Sequence, residues 1–163
     1  MKRPQIILHK IFLLPQLLKQ INQWRLLKKT IAFTNGCFDI LHQGHIASLS
    51  QAAEQADFLI VGVNADESVR KLKGGHRPVN DQQSRAMILA SLLMTDAIII
   101  FEEDTPLNLI KAILPDVLVK GGDYKIEEIV GAKEVIANGG KVIINPIVPG
   151  FSTSGLIEKI HRL

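Results

Sequence analysis

The sequence predicts an α/β fold: three α/β/α layers around a five-stranded parallel sheet. Three observations carry that prediction. Short apolar runs recur five times with helical spacing between them, and such alternation implies parallel strands joined by right-handed crossovers. The runs are apolar at successive positions, as strands are when helices cover both faces. The 163 residues, 47% hydrophobic and 21% charged, suit one globular domain with a sizeable core.

The elements follow in order. A helical pattern begins at Pro15, with Leu17, Leu18, Ile21, Trp24 and Leu27 on one apolar stripe. Residues 1–29 therefore read as an N-terminal extension whose helix packs on the domain formed by residues 30–163, the whole being a single domain. "TIAFT" (30–34) is the first strand, residues 44–55 a helix, and "FLIVGVN" (58–64) the second strand. Residues 66–80 show no clear period and are expected to form a mobile loop. Asp81 caps a helix over residues 81–93, which leads to "AIIIF" (97–101). Thr105 is the expected N-cap of the next helix, with Pro106 at its first position. "DVLVK" (116–120), a helix over residues 127–138 stopped by Gly139-Gly140, and "KVIIN" (141–145) complete the alternation. Ser152 or Thr153 caps a last helix through His161. With strand order 3-2-1-4-5 the architecture is Rossmann-like. Ligands then bind beyond the strand ends where the order reverses, between the loops "NGCFDILHQGH" and "KGGDY".

Composition narrows the function. A net charge of +3 and a pI near 9.1 suit a protein that handles phosphorylated compounds. No basic block with interleaved aromatics marks a nucleic-acid partner. A single cysteine, Cys37, forms no internal disulfide and suits a reducing compartment. The start "MKRPQIILHKIFLLPQLL" is basic and then apolar, but His9, Lys10 and Pro15 interrupt it and no small-residue cleavage site follows. No apolar run has the length of a membrane span. The expected setting is cytoplasmic, without a membrane partner.

Chemistry concentrates in "NGCFDILHQGHIASL" (35–49). His42 and His45 open a helix and point to one side of it. Gly44 permits close backbone approach, and the helix N-terminus supplies free N–H groups. Together they suit phosphate oxygens and charge developing at an α-phosphate. A zinc site is weaker, since only Cys37 and Asp39 lie near as further ligands. Two helix-end histidines without a ligand is the plain alternative. Cys37 has no C-x-x-C partner and reads as a small buried thiol. Phe38 reads as packing, and Asp39 as a group that orients a histidine, holds a metal or caps the helix.

Weaker signals surround this motif. The hydroxyls of "STS" (152–154) suit terminal phosphates or an ordinary cap. Lys71, Lys73 and Arg77 form a basic stretch that either closes over phosphates or stays solvated. Arg85 lies early in a helix, where the dipole disfavours a cation, and this favours a ligand role. Lys120 and Asp123 flank two glycines and suit a phosphate and a sugar hydroxyl, or a tight turn.

These residues resemble the H-x-G-H nucleotidyltransferase superfamily, which includes the cytidylyltransferases. "FTNGCFDILHQGH", "LKGGHRPVN", "FEEDTP", "ILPDVLVKGGDY" and "ANGGKV" together look like the adenylyltransferase domain of bacterial ADP-heptose synthase, over most of the chain. The resemblance implies transfer of AMP from ATP to heptose 1-phosphate, giving ADP-heptose and pyrophosphate for lipopolysaccharide or related surface sugars. It implies Mg²⁺ on the triphosphate, held mainly by phosphate oxygens and water, with no protein metal site. It assigns His42, His45 and Lys73 to catalysis. Thr34, Asn35, Gly36, Cys37, Phe38, Gly44, Arg85, Ser152 and Thr153 fall to nucleotide binding, and Asp39, Lys120, Gly121 and Asp123 to the acceptor side. Many bacteria fuse this domain to a sugar kinase. No kinase motif occurs here, so a separate kinase is the expected source of the sugar phosphate. A homo-oligomer is compatible with the sequence. "PGFSTSGL" lacks the arginine that some cytidylyltransferases carry there, and Arg77 or Arg85 is the candidate replacement. The alternatives are a cytidylyltransferase acting on a small polyol phosphate such as glycerol 3-phosphate, and a nucleotide-binding module without catalysis.

Overall fold

In a computed structural model, which describes residues 4–146 and 148–163, five parallel strands stand in the order β3-β2-β1-β4-β5. They are β1 (Ile31–Gly36), β2 (Phe58–Asn64), β3 (Ala97–Phe101), β4 (Val117–Gly121) and β5 (Lys141–Asn145). The order is the one the sequence predicts, and it places the ends of β1 and β4 side by side at the reversal.

Successive strand residues point to opposite faces, and the core divides accordingly. Ile31, Phe33, Ile60, Ile99 and Leu118 pack with α2 (Leu14–Leu26), α6 (Leu107–Ile113) and α7 (Ala132–Ala137). Ala32, Leu59, Val61, Ile98 and Val117 pack with α3 (Gln43–Ala53) and α5 (Gln82–Ala90). Leu17, Ile21 and Trp24 of α2 are buried as predicted, and Trp24 stacks on Phe58 with ring centroids 4.2 Å apart. Leu27 leaves the predicted stripe and is 70% exposed, because α2 ends at Leu26. Among the described residues no helix is long and apolar enough to cross a membrane.

Three expectations are corrected. Residues 66–73 are not a loop but helix α4 (Asp66–Lys73). Asp66 and Glu67 occupy its first turn and Arg70, Lys71 and Lys73 its last, which suits the helix dipole. Val69 anchors it in the core; with so few apolar residues its period does not show in the sequence. The helix expected over residues 127–138 is broken into a 3₁₀ turn (Ile126–Glu128) and α7. Gly131 separates them at φ 85°, and a Cβ there would lie 2.6 Å from Ile110 Cδ1. Thr105 caps nothing: Pro106 is itself the N-cap of α6, without a side-chain bond. Asp81 does cap α5, accepting from Gln83 N and Ser84 N.

The segment ahead of α2 is an addition that the sequence did not announce. After a single helical turn, α1 (Ile6–His9), the chain runs along the outer edge of β3. Ile98 N donates to Lys10 O at 2.7 Å and Phe12 N to Ile98 O at 2.9 Å. Lys10 Nζ donates to Leu92 O and Thr95 O. This strap covers an edge that would otherwise offer unpaired backbone groups.

Candidate active site

The loop after β1 crosses the strand ends and delivers His42 to the N-cap of α3, where His42 O accepts from His45 N at 2.9 Å. The one-turn offset brings the two imidazoles together: their rings stack with centroids 3.9 Å apart, 23° between planes. Phe38 tilts onto His45 from one side and Phe151 lies parallel to His42 on the other. A Cβ at Gly44 would come within 3.1 Å of the His42 ring and 3.2 Å of Phe151 Cβ. The glycine thus makes room for His42 and Phe151, a packing reason that adds to the close approach read from the sequence.

Burial disfavours the charged form of both rings. It pushes His42 below the ordinary imidazole value. His45 falls to about 4, chiefly through burial and secondarily through His42 beside it, with the Ile40 carbonyl acting in the opposite direction. Nδ1 of each ring is buried without a hydrogen-bond partner among the described residues. Buried polar atoms are ordinarily satisfied, so two adjacent orphans mark a place where a ligand completes the site.

Two cavities, of about 270 and 350 Å³, share Cys37, Phe38, His42 and His45 as a common wall. Thr34, Asn35 and Gly36 of β1, Lys120 and Gly121 of β4, and Gly44 line the first. Tyr124 and Phe151 give it aromatic surface. Burial lowers the pKa of Lys120, whose Nζ lies 5.9 Å from the Tyr124 ring centroid. The second cavity is cationic and rich in hydroxyls. Lys73, at the end of α4, and Arg77 stand on one side, with Ser152 and Thr153, at the start of α8 (Thr153–His161), on the other. Ser152 Oγ accepts from Gly155 N at 3.0 Å as the N-cap of α8. Thr153 Oγ1 donates to Ile40 O at 3.5 Å. A polyanion suits the second cavity, a flat or sugar-like group the first, and the histidine pair faces both.

Four expectations change here. Asp39 neither orients a histidine nor caps the helix. Its carboxylate, 1% exposed, accepts from Arg77 Nε, Val79 N at 2.7 Å and Asn80 N at 2.9 Å. Arg85 lines neither cavity. Its side chain has no exposure and donates to Cys37 O, Asn64 O, Asn80 O and Asp66 Oδ1. Asp123 is exposed and lines neither cavity. Lys71 turns to Asp104 at 3.1 Å. Cys37 is half-buried in the wall of both cavities rather than fully buried, and burial raises its pKa despite Lys73, Arg85 and Arg77 nearby. Among the described residues no three His, Cys, Asp or Glu side chains cluster to hold a metal. The sequence reading did not single out Ser48, Tyr124 or Phe151. All three lie inside or beside the quoted motifs, Ser48 in residues 35–49, Tyr124 at the end of "KGGDY" and Phe151 next to "STS", so position was their one signal.

Comparison with known proteins bears on this geometry. The cytidylyltransferase-like family model matches residues 33–159. A bifunctional protein HldE from Koribacter versatilis is 53% identical over 152 residues, 93% of this chain and 31% of that protein. The HldE of Mesorhizobium japonicum is 52% identical over 143 residues, 88% of this chain and 29% of that protein. The chain thus spans about three tenths of the length of these relatives. Among solved structures, the lipopolysaccharide core biosynthesis protein of Thermoplasma volcanium superposes with a TM-score of 0.60 at 29% identity, over 74% of this chain and 97% of that one. A pantoate-β-alanine ligase from Francisella tularensis shares the fold, with a TM-score of 0.54 at 17% identity over 90% of this chain and 76% of that one.

Proposed function

The chain belongs to the cytidylyltransferase-like family, and from that premise we propose that it is a nucleotidyltransferase that moves AMP from ATP onto a heptose 1-phosphate. An oxygen of the sugar phosphate attacks the α-phosphorus of ATP. The bond from that phosphorus to the bridging oxygen breaks, and pyrophosphate leaves with the electron pair. The observation that carries the reading is the stacked His42–His45 pair at a helix N-terminus, its Nδ1 atoms unpartnered among the described residues, on the wall between an anion-suited and a sugar-suited cavity. The HldE relatives and the lipopolysaccharide core neighbour support the sugar class.

Roles follow position. Ring N–H groups of His42 and His45 donate to α-phosphate oxygens as charge grows on them. Lys73 and Arg77 face the β- and γ-phosphates, with the N-terminus of α8 opposite. Thr34 to Gly36, with Lys120 and Gly121, hold the nucleoside and acceptor side. The one carboxylate in the lining, Asp39, is already engaged. The remaining donors suit anions, so Mg²⁺ fits this site as a companion of ATP, held by phosphate oxygens and water, where it supplies charge neutralisation. We further propose a cytoplasmic setting and a sugar kinase activity as the source of the acceptor.

The test is release of pyrophosphate from ATP and Mg²⁺ with heptose 1-phosphate, with CTP and glycerol 3-phosphate as parallel arms. Turnover with ATP and the heptose supports the reading. Turnover only with CTP and the polyol phosphate moves the protein to the polyol branch. No release in any arm removes the transferase reading.

A further inference from the structure

Phe38 lies in the common wall of the two cavities, and its φ is 47°. A bulky residue persists in the left-handed region only where its surroundings hold it. Both flanking residues are held. Behind Phe38, Cys37 O accepts from Arg85 Nη1 at 2.5 Å. Ahead of it, Asp39 O accepts from Asn80 Nδ2 at 2.8 Å, while the Asp39 carboxylate takes Arg77 Nε and two backbone N–H groups. Arg85 also joins the two anchors: its Nε donates to Asn80 O at 3.0 Å, and its Nη2 to Asn64 O and Asp66 Oδ1, both at 2.7 Å.

In a planar trans peptide the C=O and N–H point in opposite directions. Cys37 O is drawn back toward the buried guanidinium, so the N–H of Phe38 is turned the other way. It donates to nothing among the described residues. We propose that Arg85 is a positioning residue: it touches no substrate but fixes the Cys37–Phe38 peptide so that the Phe38 N–H is presented to a phosphate beside the histidine pair. This deepens the transferase reading and rests on it for its kinetic arm alone. An ordinary helix cation would be exposed and replaceable, whereas this one is fully buried and has four acceptors around a strained turn.

The first arm uses the wild-type protein labelled with ¹⁵N and inorganic pyrophosphate as the probe. The Phe38 amide resonance is expected to move downfield on titration. A Phe38 amide that ignores saturating pyrophosphate overturns the proposal, whether or not the enzyme turns over. The second arm compares Arg85→Lys with Asp66→Asn, which weakens the same hub at Nη2 while leaving the Nη1 bond to Cys37 O. Arg85→Lys should lose the amide response and about tenfold or more in kcat/KM. Asp66→Asn should keep the response and stay within about twofold. Equal losses in the two variants would reduce Arg85 to a stabilising residue and overturn the proposal. Absence of pyrophosphate release by the wild type removes the transferase reading, and the first arm still decides the role of Phe38.

Discussion

His45 is the residue on which two demands meet. Burial disfavours the charged form of its ring in the folded, ligand-free protein, and in the proposed reaction the neutral ring still offers one N–H to a phosphate. His45→Ala is expected to leave the fold intact by circular dichroism and to lower pyrophosphate release by about 10²-fold. Near-normal turnover would remove the ring from the chemistry. The depressed pKa also has a stability sign. Between the ordinary value of 6.5 and the folded value of about 4, the unfolded chain binds a proton that the folded chain does not. Stability is therefore undiminished above about pH 6.5 and falls as pH drops toward 4. Denaturant melts at pH 7 and pH 5 should show a smaller loss for His45→Gln than for wild type, and an equal loss would contradict the assignment. The sequence displays His42, Gly44 and His45 because their chemistry is set by spacing within one helical turn. It hides Asp39 and Arg85 because their partners lie 38 and 48 positions away. Arg85 shows why an unexplained charge reads as a ligand contact: a burial site assembled from four acceptors on three stretches of chain leaves no local trace.

At the scale of elements, the strands and the capped helices were legible where a single local rule dominated. Asp81 caps α5 and Ser152 caps α8 through bonds within three residues. The broken helix after β4 and the short α4 were not legible. One depends on a left-handed glycine packed on Ile110, the other on a single buried valine with charges placed by the dipole. The Ser152 cap faces the cationic cavity, so it links stability to ligand affinity. Ser152→Ala should cost about 1 kcal/mol in thermal or chemical denaturation. It should also raise KM for ATP, because a frayed first turn no longer holds its N–H groups toward the phosphates. A stability loss without a change in KM would confine Ser152 to its structural cap.

At the scale of the whole molecule, the strap of residues 10–12 shields the sheet at β3 and α2 covers part of one face. Lys10 holds that strap through two carbonyls, so Lys10→Ala should lower stability by about 1.5–3 kcal/mol. Pyrophosphate release at 25 °C should be unchanged, since Lys10 lines neither cavity; a fall in rate would show that the strap is coupled to the site. The strap lies outside the stretch that matches the family model, which begins at residue 33, and so does all of α2. A fragment cut at that boundary would bare a ladder of backbone donors and acceptors beside a trough lined by Phe33, Ile60 and Ile99. The limits of a family match and the limits of a unit that can live alone in water are therefore different here, and the difference is set by about twenty residues that touch no ligand.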